Sequence, residues 1–393
     1  MKLRIPALLL ALLCLAGCGA SENLTRSIPP AEAPPSLEES GALAEASLAL
    51  LRENWTGDSL LLSPLSILSA LGMTANGAEG ETRAQMEAVL GLPAEELNAA
   101  LAAWTAALPR ETGCRVHLAN SLWLRDGFAA NPDFLRTAAE WYQAEVFASR
   151  FDGAALREIN GWVKEKTRGM IPEILENIPD HAVMYLLNAL ALEAEWEQVY
   201  REDQVQEGIF TAGDGTEQPA ELMYSGEGLY LRDETAQGFL KPYAGGRWAF
   251  GALLPEGDLE DYLADLTGER LCALLENAEE TPVLAAVPKF QASFEANLSE
   301  SLAEMGMPDA FDPDRADFSG MGDWPLYISA VLHRTYIAVD ERGTRAGAAT
   351  AVAMSGGGGV GAVPEVYLNR PFLYMVVDRE LRLPVFLGAV LAL

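Results

Sequence analysis

Residues Val339 to Met354 read Val-Asp-Glu-Arg-Gly-Thr-Arg-Ala-Gly-Ala-Ala-Thr-Ala-Val-Ala-Met and contain no proline. Four glycines follow, Gly356 to Gly359, and the first proline after the run is Pro364. Taken as a strand, the segment places Thr344, Ala346, Ala348, Thr350, Val352 and Met354 on one face. That face is small or apolar throughout. The opposite face carries Arg345, Gly347, Ala349, Ala351, Ala353 and Ser355. A proline would bar a central place in a sheet by removing a ladder donor, and none occurs here. Such a segment can be an exposed loop in one state and a buried central strand in another. Its composition alone also suits a flexible linker, and its alanines suit a frayed helix.

The rest of the chain gives this segment a frame. A length of 393 residues suggests two or three domains, yet no linker rich in Pro, Ser or charge and no repeat follows residue 40. Half the residues are hydrophobic, enough for one large core. Periodicity predicts helices over Leu43–Arg52, Glu81–Leu90, Glu95–Leu108, Pro132–Ala148 and Leu156–Thr167. Ser63 and Pro64 mark another helix start, as N-cap and first helical residue. Strands are predicted over Val116–Trp123, Val183–Leu192, Phe239–Leu240, Trp248–Leu254, Val283–Val287, Ile328–Val339 and Phe372–Val377. Helices come first and strands dominate the second half, which indicates an α+β domain.

Several blocks then carry a family resemblance. Glu341-Arg-Gly-Thr-Arg-Ala-Gly-Ala-Ala-Thr350 resembles the hinge of a serpin reactive-centre loop. Asn369-Arg-Pro-Phe-Leu-Tyr374 resembles the signature beyond that loop, and Pro384-Val-Phe-Leu-Gly388 the closing strand. Ser63-Pro-Leu-Ser-Ile67 with Gly77-Ala-Glu-Gly-Glu-Thr82 resembles an early helix and its turn. Ile159 to Pro172, Leu187-Asn-Ala-Leu190 leading to Trp196, and Val287-Pro-Lys-Phe290 with Leu302 to Met307 match further blocks. They occur in family order from about residue 40 to the end, and together they are specific.

The resemblance implies a serpin fold, with about eight or nine helices around three β-sheets and an exposed loop. It implies one domain over residues 40–393 and no cofactor. It also implies a monomeric suicide inhibitor that forms a covalent 1:1 complex with a serine protease. The loop is cut, and Thr344 onward inserts as a central strand. The hinge set is Glu341, Gly343, Thr344, Ala346, Ala348, Ala349 and Thr350. His333 is expected beneath the opening sheet with Ser63, Ser66 and Asn188, and Trp196 at the end of the central strand. Loop length points to a scissile bond near Gly357 or Gly358, with Met354, Val360, Ala362 and Val363 as further candidates. No Lys or Arg lies between Arg345 and Arg370, so an elastase-like or subtilisin-like target is expected rather than a trypsin-like one. Arg345 stands where the family usually has an acid, and Gly347 interrupts the alanines. A non-inhibitory serpin, acting as a surface binding protein or protease substrate, is the alternative.

Motifs for catalysis are missing. The chain has three histidines, His117, His181 and His333, none in a metal-ligand spacing. No G-x-S-x-G elbow occurs. Gly356 to Gly361 formally satisfies G-x-G-x-x-G, but only as a glycine run, and Pro364 follows where a helix should open. The expectation is a protein that is not an enzyme and holds no metal.

The N-terminus reads as a bacterial targeting segment. Lys2 and Arg4 precede the apolar Ala7–Leu13, and Leu15-Ala-Gly-Cys18 looks like a lipobox. The expected processing removes residues 1–17 and lipidates Cys18, which anchors the chain to a membrane at the cell surface. Residues 18–39, with four prolines between Ala20 and Ser36, are expected to be a flexible tether. A formal charge of −30 argues against nucleic-acid binding. Cys114 and Cys272 remain as two unpaired thiols. Sequons occur at Asn23, Asn54 and Asn297 and carry no meaning for a bacterial chain.

Overall fold

Three runs in the second half are apolar enough to be buried on both faces, the pattern of a central strand. In the computed structural model they are β11 (Trp248–Pro255), β17 (Phe372–Asp378) and β18 (Leu383–Val390), buried at every position. The structure describes residues 21–31, 39–111, 113–323, 325–344 and 362–393. With β2 (Leu60–Leu62), β10 (Ala236–Pro242) and β9 (Leu229–Arg232), these runs form a six-stranded core sheet in the order β2-β18-β17-β11-β10-β9.

A larger central sheet packs on it. Its order is β1 (Ser21–Asn23), β5 (Glu145–Ser149), β4 (Cys114–Arg125), β6 (Met184–Glu195), β15 (Gly343–Thr344), β14 (Ala330–Val339) and β13 (Phe290–Asn297). A short β3 (Arg110–Glu111) hangs on β4. A small sheet joins β16 (Glu365–Tyr367), β12 (Val283–Pro288), β8 (Glu217–Glu227) and β7 (Val205–Thr211). The described helices are α1 (Ser40–Glu53), α2 (Pro64–Ala75), α3 (Gly80–Leu90), α4 (Ala94–Ala106), α5 (Pro132–Tyr142), α6 (Gly153–Lys166), α7 (Leu259–Asp265), α8 (Gly268–Glu276) and α9 (Ser299–Glu304). Helices and sheets are mixed as the α+β reading expected, with three sheets and nine helices among the described residues.

Two faces of the central sheet are covered differently. On the inner face, the wholly buried α2 lies between it and the core sheet. On the outer face, Ile159 and Val163 of α6 pack on Trp123, Tyr185 and Leu187 of the strands beneath. β14 alternates accordingly. Val331, His333, Thr335, Ile337 and Val339 are buried, and the Thr335 hydroxyl donates to the Leu61 carbonyl at 2.8 Å.

Two expectations are corrected. The helix read over Pro132–Ala148 stops at Tyr142, because Gln143 turns left-handed (φ 50°) and Glu145–Ser149 pairs in parallel with β4. Tertiary pairing there overrides local helix preference. The tether read over 18–39 is not free along its whole length. β1 adds to the edge of β5, in the register Ser21↔Ser149 and Asn23↔Phe147. The chain then crosses the end of α5, with Leu24 N–H donating to Val146 O at 2.7 Å and Ala31 N–H to Glu140 O at 2.9 Å. Thr25 is buried and donates to Ala144 O at 3.0 Å while accepting from Val146 N–H at 3.1 Å. Three polar residues gave no apolar alternation to read; backbone pairing with an exposed edge is what orders them.

Thr25→Val keeps the side-chain volume and removes both hydrogen bonds. It is expected to cost about 1–3 kcal/mol of local stability, read as faster hydrogen exchange at the Leu24 amide. Unchanged protection at that amide would refute the clamp.

Candidate functional site

The site is the end of the central sheet where the chain leaves β14. β6 and β14 are parallel neighbours only over Tyr185–Ala189 against Ala330–Arg334. Above that stretch they no longer pair with each other. At the far end β15 sits between them, with Thr344 opposite both Ala194 and Val339, and Gly343 opposite Glu195. Between the two regions lie residues 190–193 and 335–338, with no ladder joining them. The sheet is therefore split at one end, and the first two residues of the strand-competent segment plug the split.

Chemistry holds that plug. Thr344 is 1% exposed, and its hydroxyl shares a hydrogen bond of 2.6 Å with the Tyr243 hydroxyl. Gly343 runs so close to β6 (φ 154°) that a Cβ would stand 2.0 Å from Ala194 O. The connecting turn is tied by Asp340, whose Oδ1 accepts from the amides of Arg342 and Gly343 at 2.8 and 3.2 Å. Trp196 bonds the turn twice, Nε1–H to Asp340 O at 2.8 Å and N–H to Arg342 O at 2.9 Å. Its ring stacks on Tyr243 at 4.7 Å. Behind them Lys241 is buried, paired with Glu227 at 2.8 Å and lying 4.3 Å from the Tyr200 ring centroid. Glu341 pairs with Lys289 at 3.1 Å, and both side chains are partly exposed. A hydrogen bond with its own backbone, and then Lys289, hold the Glu341 carboxyl below the usual range.

A second polar group lies midway along the split sheet. His333 is 2% exposed and its Nε2 accepts from the Ser63 amide at 3.1 Å. The ring proton therefore belongs on Nδ1. Asn188, opposite His333 in the β6–β14 ladder, donates to Asn120 Oδ1. Four polar atoms here find no hydrogen-bond partner among the described residues: His333 Nδ1, Asn188 Oδ1, Ser63 Oγ and Ser66 Oγ. Ser63 stands at the N-cap position, but its hydroxyl caps nothing. Burial pushes the His333 pKa from 6.5 down to about 3.

The structure thus gathers Ser63, Ser66, Asn188 and His333 into one buried set, and Glu341, Gly343, Thr344 and Trp196 into another. Ala346, Ala348, Ala349, Thr350, Met354, Gly357, Gly358, Val360 and the anchor residue Cys18 lie outside the described residues. Ala362 is described and exposed. Tyr243, Lys289, Lys241, Glu227 and Asn120 were not singled out in the sequence. Lys289 stood inside a matched block, and its charge beside Pro288 was the signal available. Cys114 and Cys272 are both free thiols.

Gly343→Ala is expected to unseat the plug by the clash with Ala194 O. The readout is faster trypsin cleavage at Arg342 and Arg345; an unaltered cleavage rate would count against the close approach. His333 makes stability depend on acid. Its folded pKa of about 3 lies below the unfolded value of 6.5, so between those values the unfolded chain binds more protons. Its neutral burial costs nothing above the upper value. Below it, stability falls by up to about 1.4 kcal/mol per pH unit until the lower value is reached. Urea midpoints of wild type and His333→Gln should diverge over that window and run parallel above it.

The family model of Serpin (serine protease inhibitor) matches residues 40–393. A serpin-like protein of Thermococcus kodakarensis is 31% identical over 84% of this chain and 80% of its own length. A leukocyte elastase inhibitor of Xenopus tropicalis is 29% identical over 86% of this chain and 94% of its own. The crystal structure of tengpin, a thermophilic serpin, in its native state aligns with a TM-score of 0.89 at 42% identity, covering 95% of this chain and 100% of that one. Tengpin in its latent state aligns less well, at a TM-score of 0.79 and 40% identity over 91% of this chain and 99% of that one. Thyroxine-binding globulin with thyroxine, at 24% identity and a TM-score of 0.79 over 90% of this chain and 98% of its own, shares the fold. This chain belongs to the serpin family.

Proposed function

We propose that the protein is a suicide inhibitor of serine proteases, held at a bacterial membrane surface by lipid on Cys18. The observation that carries the inhibitory reading is the register of β15. Moving along the loop from Thr344, nine steps reach Ala353. The same nine steps carry Ala194 back to Tyr185 on β6 and Val339 back to Ala330 on β14. Those last two residues already face each other. The two half-ladders therefore close on one segment of one length, Thr344 to Ala353, once β6 and β14 part. Full entry replaces five direct pairings by two ladders on either side of the new strand. Roughly a dozen net hydrogen bonds at ~1 kcal/mol each give on the order of 10 kcal/mol, comparable with the stability of a whole domain.

In this register Ala346, Ala348, Thr350 and Val352 share the inward face with Thr344. Thr350 falls between His333 and Asn188. Its hydroxyl would arrive among the four polar atoms that lack partners. A protease acylated at a residue beyond Ala353 is carried to the other end of the sheet. Deacylation then fails because the pull distorts the protease, a matter of its own active site rather than of any group here.

The scissile bond belongs before Ala362. Two residues on, the Pro364 carbonyl accepts from Leu284 N–H at 2.9 Å, and Glu365–Tyr367 is paired with β12. A bond at Ala362 or Val363 leaves no free extended chain for the primed side of a protease cleft. Met354, Gly357, Gly358 and Val360 remain, and they suit an elastase-like or subtilisin-like enzyme.

The test is incubation with elastase-, subtilisin- and trypsin-like proteases on a denaturing gel. Covalent complexes with the first two are expected, and complexes with trypsin-like enzymes alone would overturn the target class. Cleavage should also raise the melting temperature; a cut molecule that melts no later than the intact one sinks the insertion mechanism. Thr344→Arg should turn inhibitor into substrate, because a guanidinium cannot replace a buried hydroxyl against Tyr243. The glycine run favours a second reading, a non-inhibitory serpin that is simply cleaved. It predicts no covalent band with any protease.

A further inference from the structure

β1 fixes where a lipid on Cys18 would stand relative to the rest of the molecule; this step rests on the anchor reading above. β5 runs parallel to β4, and β1 runs against β5. Ser21 therefore lies at the end of the sheet that holds Ser149, Arg125 and Met184. Thr344 lies at the opposite end, with Cys114 and Ala194. The twelve residues of β4 separate the two ends, about 36 Å of extended chain. Because β1 climbs from Ser21 to Asn23 toward the hinge end, Ser21 is the end of β1 that lies nearest the base.

Only Gly19 and Ala20 separate Cys18 from Ser21. Three Cα steps reach at most about 11 Å. A flexible leash running from Cys18 to the start of α1 would let the body turn freely at roughly 25 Å. The described strand removes that freedom. Ser21 Oγ donates to Ser149 Oγ at 2.9 Å, and the buried Thr25 ties the following turn. The base carries arginines beside its carboxylates. Arg150 pairs with Asp152 at 3.4 Å, and Arg125 donates to the Asp180 and Ala182 carbonyls at 2.8 Å.

We propose that the base of the central sheet sits against a lipid bilayer while the hinge end points away from it. The loop is then offered to proteases at the outer pole, and loop insertion carries the captured protease toward the membrane side. Occupied lipid, rather than a protein partner, is what the base faces.

The test uses the full lipidated chain on phosphatidylcholine vesicles containing lipids with a headgroup quencher. A dye is placed on Arg150→Cys at the base or on Asp203→Cys beside the hinge, with Cys114 and Cys272 replaced by Ala. Fluorescence loss at Arg150→Cys and none at Asp203→Cys is expected. A Gly/Ser spacer of about twenty residues between Ala20 and Ser21 should erase the difference by restoring a free leash. Equal loss at both positions without the spacer overturns the orientation. Hydrogen exchange on the lipidated chain without dye or substitution gives a second readout: vesicle binding should slow exchange over residues 176–182 and leave 201–204 unchanged, and the reverse overturns the proposal. Flotation separates the two ideas. A wild-type chain that floats no better than Cys18→Ser loses the anchor and with it the orientation. A chain that floats but shows equal quenching loses the orientation alone.

Discussion

One unfinished ladder governs this molecule. β6 and β14 are joined at their base and parted at their hinge ends, so residues 190–193 and 335–338 pair with β4 and β13 on their outer edges but have no ladder on the edges that face each other. Backbone amides and carbonyls strongly prefer to be paired. The lowest free energy open to such a sheet is the one in which a further strand fills the split. The folded chain keeps that strand connected at its far end to β16, which pairs with β12 of another sheet. Of the described residues, Gly343 and Thr344 occupy the split. Under the proposed insertion, the stability of this state would be a matter of rate and not only of depth.

The rate depends on what must move for β6 and β14 to part. At the hinge end, further entry would have to pass Trp196, Tyr243 and the buried Lys241–Glu227 pair. Removing one member of a buried pair leaves an unpaired charge, a cost of about 3–5 kcal/mol, so this corner resists simple loosening. Midway, His333 and Asn188 face each other with polar atoms unanswered. That arrangement is costly in the split state and improves when a hydroxyl arrives. The hinge end resists entry, and the middle of the sheet favours its completion. Burial keeps His333 neutral, so acid works against the native state through this one ring.

The sequence allowed much of this to be read, and the physical reason differs by residue. The strand alternation of the loop segment is a sequence expectation, since a central strand needs alternation and tolerates no proline, and beyond Thr344 it falls outside the described residues. Ser63, Ser66, Asn188, Trp196 and His333 came from block resemblance, and their joint burial could not be read from spacing, since they are drawn from three separated segments. Tyr243 was invisible for the same reason: its role is set by contact with Thr344, a hundred residues away. The segment 143–148 read as helix because its alanines and glutamate are locally helical, while β4 imposes the strand. Residues 21–31 read as tether because polar residues bind an edge through backbone groups, which composition does not report.

Under the proposed insertion, the register also gives a part to the glycines. Gly in a strand interior weakens it through entropy and missing contacts. The proposed paired stretch would close at Ala353, opposite Tyr185 and Ala330, so Gly356 to Gly359 would lie past the base of the sheet and outside the ladder. They would take nothing from the insertion energy. Gly347 alone would fall within the ladder, on the outward face between positions 191 and 336. Its cost is one exposed strand glycine, ~1 kcal/mol at most, against the roughly 10 kcal/mol from completing the sheet. On the inhibitory proposal, the glycine run would therefore bear on which protease accepts the loop, while the capacity for insertion would rest on Thr344 to Ala353.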